Sequence, residues 1–266
     1  MKLYEETRRT AEELGDKRSV AMAWFNQGEM ERLQGNLSGS RTSYDQALSL
    51  RRSLEDRSAV ARTLASNGMV QVAQARLPEA RKTYEEALAL LESVGEKQGI
   101  ARVHNFIGSL NFYEGRAADA QKLLRQAAAE FRELKAADEH AATLAVLAKA
   151  LLAEGKNQEA ETTIQEALRL VEPTSNRQWR LEVGIAAARV EAATGKHAAA
   201  ATRLRTLRGG AKGFMGVELD ADLALGEVEI ASGQAAQGRA RLEAVERQAR
   251  ANGFLLIANQ AAAARR

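Results

Sequence analysis

The chain of 266 residues contains no cysteine, two prolines and three histidines. Without cysteine, a disulfide-stapled scaffold and a Cys–His nucleophilic pair are excluded. Aromatic residues are also scarce, at two Trp, four Tyr and six Phe, whereas alanine accounts for 53 residues. Because strands favour aromatic and β-branched residues, this composition argues against a sheet protein and favours helices.

Neither one sign of charge nor a long apolar run dominates the sequence. Lys and Arg number 38 against 35 Asp and Glu, and the two signs are interleaved throughout. A mixed-sign surface disfavours nucleic acid as a partner. The first residues turn acidic at once, and no run approaches the roughly 18 apolar residues of a membrane span. We therefore expect a cytoplasmic protein with no signal peptide and no membrane partner.

Small and apolar residues recur at a spacing of forty along nearly the whole chain. Five repeat positions recur every forty residues through the first five units. In the sixth unit, each of them lies two residues earlier than this spacing predicts. A fixed period of this kind is typical of solenoids built from supersecondary units. The positions are Gly28, Gly68, Gly108, Ala148, Ala188 and Gly226; Gly35, Ala75, Gly115, Gly155, Gly195 and Gly233; Ser40, Ala80, Ala120, Ala160, Ala200 and Gly238; Tyr44, Tyr84, Leu124, Ile164, Leu204 and Leu242; Ala47, Ala87, Ala127, Ala167, Leu207 and Val245.

Each unit has the pattern of two helices joined by a short corner. In the second unit, apolar residues follow three-and-four spacing, and Pro78 suits the first turn of the second helix. The position of Gly68 predicts a close approach of the paired helices, and that of Gly35 predicts a left-handed residue that ends the first helix. The predicted division of residues 1–266 is a lone second helix over 1–16, helix pairs over 18–56, 58–96, 98–136, 138–176, 178–215 and 217–252, and a capping helix over 254–266.

These landmarks resemble the tetratricopeptide repeat family. The forty-residue period is similar to the variety in kinesin-light-chain-type repeats and in bacterial signalling proteins. The resemblance implies an all-α, right-handed superhelical solenoid of antiparallel helix pairs, with ligands along a concave face formed by the first helices. It rests on Trp24, Gly28, Gly35, Tyr44 and Ala47 in the first unit, Leu64, Gly68, Ala75, Ala80, Tyr84 and Ala87 in the second, and Leu144, Ala148, Gly155, Ala160, Ile164 and Ala167 in the fourth.

Three features depart from the family pattern. Gly184 stands where a large residue is expected, which predicts loose packing of the first helix of the fifth unit. The stretch from Gly209 to Gly216 predicts a long Gly-rich joint between units five and six. Tyr4 shares the repeat position of Tyr44 and Tyr84, so the chain begins inside a second helix. We therefore expect a fragment of a longer protein whose repeats continue upstream.

No catalytic or metal-binding pattern emerges from the polar residues. The two Gly-Lys dipeptides lack the upstream glycine and the following Ser or Thr of a phosphate-binding loop. His104, His140 and His197 have no partner four residues on that could share a metal ion. A Ser–His–Asp set cannot be nominated either. We expect a non-enzymatic protein with no metal and no cofactor.

The concave face carries the candidate binding residues. Its aromatic members would supply contact area for a peptide, and its Arg and Asn members would hold backbone or carboxylate groups. Phe106 and Phe112 could equally pack against the next unit. The Lys and Asn clamp that the family uses for a C-terminal carboxylate is not reproduced. The stripe comprises Phe25, Asn26, Glu29, Arg62, Ser66, Met69, Arg102, Asn105, Phe106, Ser109, Phe112, Tyr113 and Lys149.

These expectations favour a scaffold that captures a peptide or partner protein in the groove, with self-association as a further option. Two alternatives from other classes stay open. One is the regulatory or sensor region of a bacterial signalling protein, such as a kinase, a cyclase or a winged-helix regulator, and an upstream domain of that kind would favour it. The other is an RNA-binding repeat array, which steeply salt-dependent oligonucleotide binding would favour.

Overall fold

The computed structural model of the protein describes residues 2–266, with side chains from residue 6 onward, so the side chain of Tyr4 lies outside the described part. Residues 2–266 form fourteen α-helices without a strand, which confirms the all-α prediction. The helices are α1 (Lys2–Glu13), α2 (Lys17–Gln34), α3 (Leu37–Ser53), α4 (Arg57–Ala73), α5 (Leu77–Val94), α6 (Lys97–Tyr113), α7 (Ala117–Glu133), α8 (Ala137–Ala153), α9 (Asn157–Val171), α10 (Arg177–Ala193), α11 (His197–Gly210), α12 (Met215–Ala231), α13 (Ala235–Ala251) and α14 (Leu255–Ala264).

Polar side chains fix where several helices begin. The side chains of Asp16, Asn36 and Asp56 accept hydrogen bonds from backbone N–H groups in the first turns of α2, α3 and α4. These N–H groups have no partner within the helix, so each cap satisfies a donor that would otherwise stay free. Pro78 lies in the first turn of α5, as predicted, where its missing N–H costs no hydrogen bond.

A left-handed residue ends the first helix of every pair. The predicted conformation is confirmed at all six positions, with φ between 57° and 89°. Five of the six are glycine, which adopts this conformation without a steric cost, whereas Ala75 adopts it despite its Cβ atom. The chain therefore turns sharply at the same place in each unit, and consecutive helices become antiparallel neighbours.

The small residues in the middle of the first helices lie where the two helices of a pair cross. A Cβ atom added to Gly28 would lie 2.7 Å from ring carbons of Tyr44, and one added to Gly108 would lie 2.8 Å from Leu124 Cγ. Tyr44 and Leu124 are fully buried at these crossings. The close approach predicted from the repeat is thus confirmed, because these sites leave no room for a larger side chain.

The fifth pair corrects the expectation of a loose helix. A Cβ atom added to Gly184 would lie 2.9 Å from Leu207 Cδ1, and Gly184 is buried. Leu207 occupies the repeat position of Ala87, while Gly184 occupies that of Leu64. The large and the small residue have therefore exchanged helices. The prediction from Gly184 alone was wrong because the volume of a contact is set by both partners.

Half of the stretch from Gly209 to Gly216 is helical, so the stretch does not form a long joint. Helix α11 continues to Gly210 and α12 begins at Met215, so the connection is confined to residues 211–214. Arg177 donates a hydrogen bond to the carbonyl of Gly210. A Cβ atom added to Gly216 would lie 3.1 Å from Phe254 Cε1. Gly216 thus permits close packing of α12 against the residue that precedes α14.

The first and last parts of the solenoid contact one another. A Cβ atom added to Gly35 would lie 2.8 Å from Met215 Cγ and 3.4 Å from Phe254 Cε2. Leu37 and Val70 share an apolar cluster with residues of α12 and α14. Helix α12 contacts α2, and α14 contacts α4. The six pairs therefore complete one turn, and α14 does more than cover the final pair.

Candidate functional site

A cavity of about 1050 Å³ runs through the centre of the solenoid. Its wall takes side chains from the first helices of all six pairs, namely α2, α4, α6, α8, α10 and α12, and from α14. The sequence predicted a groove along the first four units only. Closure of the turn adds the fifth and sixth units to the wall and converts an open groove into a partly enclosed space.

Twelve of the thirteen residues predicted for the concave face line this cavity. Asn26 is the exception and lies half-buried elsewhere on α2. The remaining twelve share a face because residues three, four and seven positions apart follow one side of an α-helix. The forty-residue period then brings the same face of each first helix to the same side of the stack.

The aromatic residues of the third unit both pack and line the cavity. The ring of Phe106 stacks on Tyr84 of the preceding unit, with centroids 5.5 Å apart. Phe112 contacts Tyr113, with centroids 5.4 Å apart, and also packs against the apolar cluster that includes α8. Phe112 thus packs against the next unit, whereas Phe106 stacks on the preceding one, and both residues also line the cavity.

Glu29 and Arg32 of α2 line the cavity and form a hydrogen-bonded group with Tyr44 of α3. Arg32 donates a hydrogen bond to Glu29 at 2.8 Å, and the hydroxyl of Tyr44 donates another to the same carboxylate. Burial opposes the charge of Glu29, but Arg32 and these hydrogen bonds outweigh burial and lower the pKa of Glu29. Burial and Glu29 raise the pKa of Tyr44. Glu29 is therefore held as a carboxylate by its neighbours.

Sequence reasoning missed the charged residues of the fifth and sixth units. Arg189 occupies the repeat position of Glu29 and Lys149, and Glu182 occupies that of Arg62 and Arg102. Both line the cavity, as do Trp179, Asp220 and Glu227. Continuing the stripe beyond unit four would have found Arg189 and Glu182. The repeat does not reveal that the solenoid closes into one turn, so the predicted stripe of binding residues ended at the fourth unit.

These later residues form a half-buried charge cluster. Arg189 donates hydrogen bonds to Asp220 at 2.8 Å and to Glu227 at 3.4 Å. Burial opposes ionisation of Asp220, but Arg189 and Lys149 outweigh it and lower its pKa. Burial raises the pKa of Glu227 and of Glu182. Arg189 thus pairs with two carboxylates, whereas Glu182 forms no ion pair with the described residues.

Lys149 lies between the aromatic residues and the acidic cluster. Its ammonium nitrogen lies 5.9 Å from the centroid of Phe112, within the range of a cation–π contact. Within the described part of the chain it forms no ion pair. Its positive charge lowers the pKa of Asp220 through space. Lys149 is thus a half-buried cation with no carboxylate in direct contact.

The three histidines do not assemble into a site. His104 Nδ1 lies 2.9 Å from Glu130 in a contact between α6 and α7, and burial lowers the pKa of His140. Among residues with described side chains, no cluster of His, Asp and Glu is arranged to hold a metal ion.

No helix in residues 2–266 combines the length and apolarity needed to cross a bilayer.

The repeat geometry agrees with a family model. The model for the tetratricopeptide repeat matches three overlapping segments, residues 19–93, 59–139 and 99–173, which together span more than half of the chain. The chain belongs to the tetratricopeptide repeat family. Tetratricopeptide folds generally mediate contacts between proteins.

Solved structures share this tetratricopeptide fold at low sequence identity. The apo form of RapI is 13% identical, with a TM-score of 0.70 over 94% of this chain and 89% of RapI. A Rap protein complexed with Competence and Sporulation Factor is 16% identical, with a TM-score of 0.66 over 93% of this chain and 72% of that protein. Yeast Tom70 is 15% identical, with a TM-score of 0.54 over 99% of this chain and 57% of Tom70. Comparison with curated protein sequences finds no match.

Proposed function

We propose that the protein is a non-enzymatic interaction scaffold that holds an extended peptide, or an extended segment of a partner protein, in the central cavity. The continuous lining of the cavity by every helix pair carries this proposal. At about 1050 Å³, the cavity reaches the upper end of the range for small-molecule pockets. All six units would act as one binding unit, because each contributes side chains to the wall.

The chemistry of the wall supports a peptide as the occupant. Phe106, Phe112 and Tyr113 offer ring faces for apolar side chains, which is the usual way in which interfaces gain area. A Rap protein of this fold was solved complexed with Competence and Sporulation Factor, which supports the proposal that this chain also binds a partner.

The double variant Arg102→Ala and Tyr113→Ala tests the proposal. Its probe is an array of short synthetic peptides of random sequence, incubated with the purified full chain. We expect the peptides that bind the wild-type chain to lose about tenfold or more in affinity, because an aromatic anchor and a cation are removed together. The fold should persist, since the partly exposed Arg102–Glu139 pair contributes about 1 kcal/mol.

Matched controls separate a local effect from general damage. Lys122→Ala and Arg205→Ala change exposed cations on α7 and α11, away from the cavity, and should leave peptide binding unchanged. Thermal melts followed by circular dichroism check that all variants stay folded. If Arg102→Ala with Tyr113→Ala binds the same peptides as strongly as the wild type, the binding site does not lie in the cavity.

A further inference from the structure

One repeat position on the cavity wall carries opposite charges on opposite helices. Arg62 and Arg102 occupy it on α4 and α6, and Glu182 and Asp220 occupy it on α10 and α12. All four line the cavity. The first helices contact one another in a ring of six, from α2 round to α12 and back to α2. In such a ring α4 faces α10 and α6 faces α12, so a basic side faces an acidic side.

On the basic side, Arg62 is a cation without a complementary charge. Its side chain is exposed toward the cavity, and with the described residues it forms neither a hydrogen bond nor an ion pair. Its electrostatic neighbour is a second cation, Arg51, and burial together with Arg62 lowers the pKa of Arg51 to about 10. Arg102, by contrast, reaches Glu139 at 3.3 Å. A carboxylate entering the cavity would therefore find its complementary charge at Arg62.

On the acidic side, Glu182 is the corresponding unpaired charge. Its carboxylate accepts a hydrogen bond from Gln178 at 2.7 Å but forms no ion pair with a cation of the described residues. Asp220 differs, because Arg189 donates to it at 2.8 Å. Burial raises the pKa of Glu182, although Gln178, Arg32 and Lys149 act in the opposite direction. A cationic group from a ligand would form the ion pair that Glu182 lacks and would offset the cost of its burial.

We infer that the cavity takes an extended peptide with an acidic group directed at Arg62 and a basic group directed at Glu182, with apolar side chains between them. The inference rests on the proposed function and specifies its ligand. A peptide of one charge sign would bring like charges together on one side of the cavity, and such contacts suppress binding. A neutral peptide would leave both charges without partners while displacing the water around them.

The test compares four classes of short synthetic peptides that share the same apolar residues. One class carries one acidic and one basic residue, one an acidic residue only, one a basic residue only, and one neither. We expect the full chain to bind the mixed class about tenfold more tightly than the neutral class. Arg62→Gln should abolish the advantage from the acidic residue alone, and Glu182→Gln should abolish that from the basic residue alone.

Two exposed charges on outer helices provide matched controls. Arg205→Gln and Glu85→Gln make the same chemical changes on α11 and α5, and both should keep the preference for the mixed class. If all four classes bind equally, or if the preference survives in both cavity variants, the inference is overturned while peptide capture stands. If no class binds the wild-type chain, the proposed function fails as well.

Discussion

Each first helix has two functional faces. One face crosses the second helix of its pair, at a contact called the seam here, and the other lines the cavity. The residues on these two faces vary in different ways along the chain. At the seam, a small residue such as Gly28 recurs against a large partner, and the fifth pair exchanges the two sizes only at the separate contact between Gly184 and Leu207. At the wall, the position of Glu29 is occupied by Met69, Ser109 and Lys149 in the following units. Packing restricts the seam because interiors are filled to crystal-like density. The wall faces open space, so its residues are free to differ and to define a ligand.

The largest expected effect comes from breaking a seam. In Gly68→Leu, the new side chain would start from a Cβ position 2.8 Å from Tyr84 Cδ1, and Tyr84 is itself buried. We expect a loss of about 3 kcal/mol or more in the free energy of unfolding, because the crossing would be overpacked. Urea unfolding followed by circular dichroism measures it.

The matched control for the seam is Gly209→Leu. A Cβ atom added to Gly209 would have no neighbour within 4 Å, and Gly209 also lies in a helix. We expect a change within about 0.5 kcal/mol, as at other exposed sites. Equal losses at Gly68 and Gly209 would show that the glycine column is not a packing feature.

We expect an intermediate effect at the contact between Gly184 and Leu207, where the fifth pair has the large and the small residue on opposite helices from the second pair. Leu207→Ala should lose about 2 kcal/mol through the cavity left beside Gly184. Gly184→Leu alone should also destabilise, by overpacking against Leu207. The double variant recreates the Leu64–Ala87 arrangement of the second unit and should be more stable than either single variant. Additive losses in thermal or urea unfolding would contradict a direct size exchange.

The smallest effect concerns the corner between paired helices. This corner belongs neither to the seam nor to the cavity wall. Ala75 has a φ of 57°, where its Cβ atom is strained. Ala75→Gly should raise the free energy of unfolding by up to about 1 kcal/mol, since relief of strain exceeds the added entropy of the unfolded chain. Gly115→Ala should lower it by a similar amount, because Gly115 has a φ of 77° and an added Cβ atom would have no neighbour within 4 Å. Differential scanning calorimetry of both variants checks the sign, and a gain for Gly115→Ala would contradict it.

The repeat predicted much of the candidate site. The residues that this prediction missed also follow from the way in which the repeat was used. The stripe containing Arg62, Asn105 and Lys149 was found because the helical period places these residues on one face of successive helices. Glu182 occupies the repeat position of Arg62 three units on, and Arg189 occupies that of Lys149 one unit on, yet the stripe was not extended to them. The error at Gly184 had a related cause, because one helix was considered without the partner that compensates it.

The amino-acid sequence by itself determined the helices, the corners between them and the pairing of neighbours. These features depend on contacts between residues close along the chain, such as a cap, a left-handed glycine or a small residue opposite a large one. Only the tertiary structure decided that the sixth pair meets the first and that Arg62 lies across the cavity from Glu182. Small rotations between successive units add up over the whole solenoid, and no single repeat contains their sum.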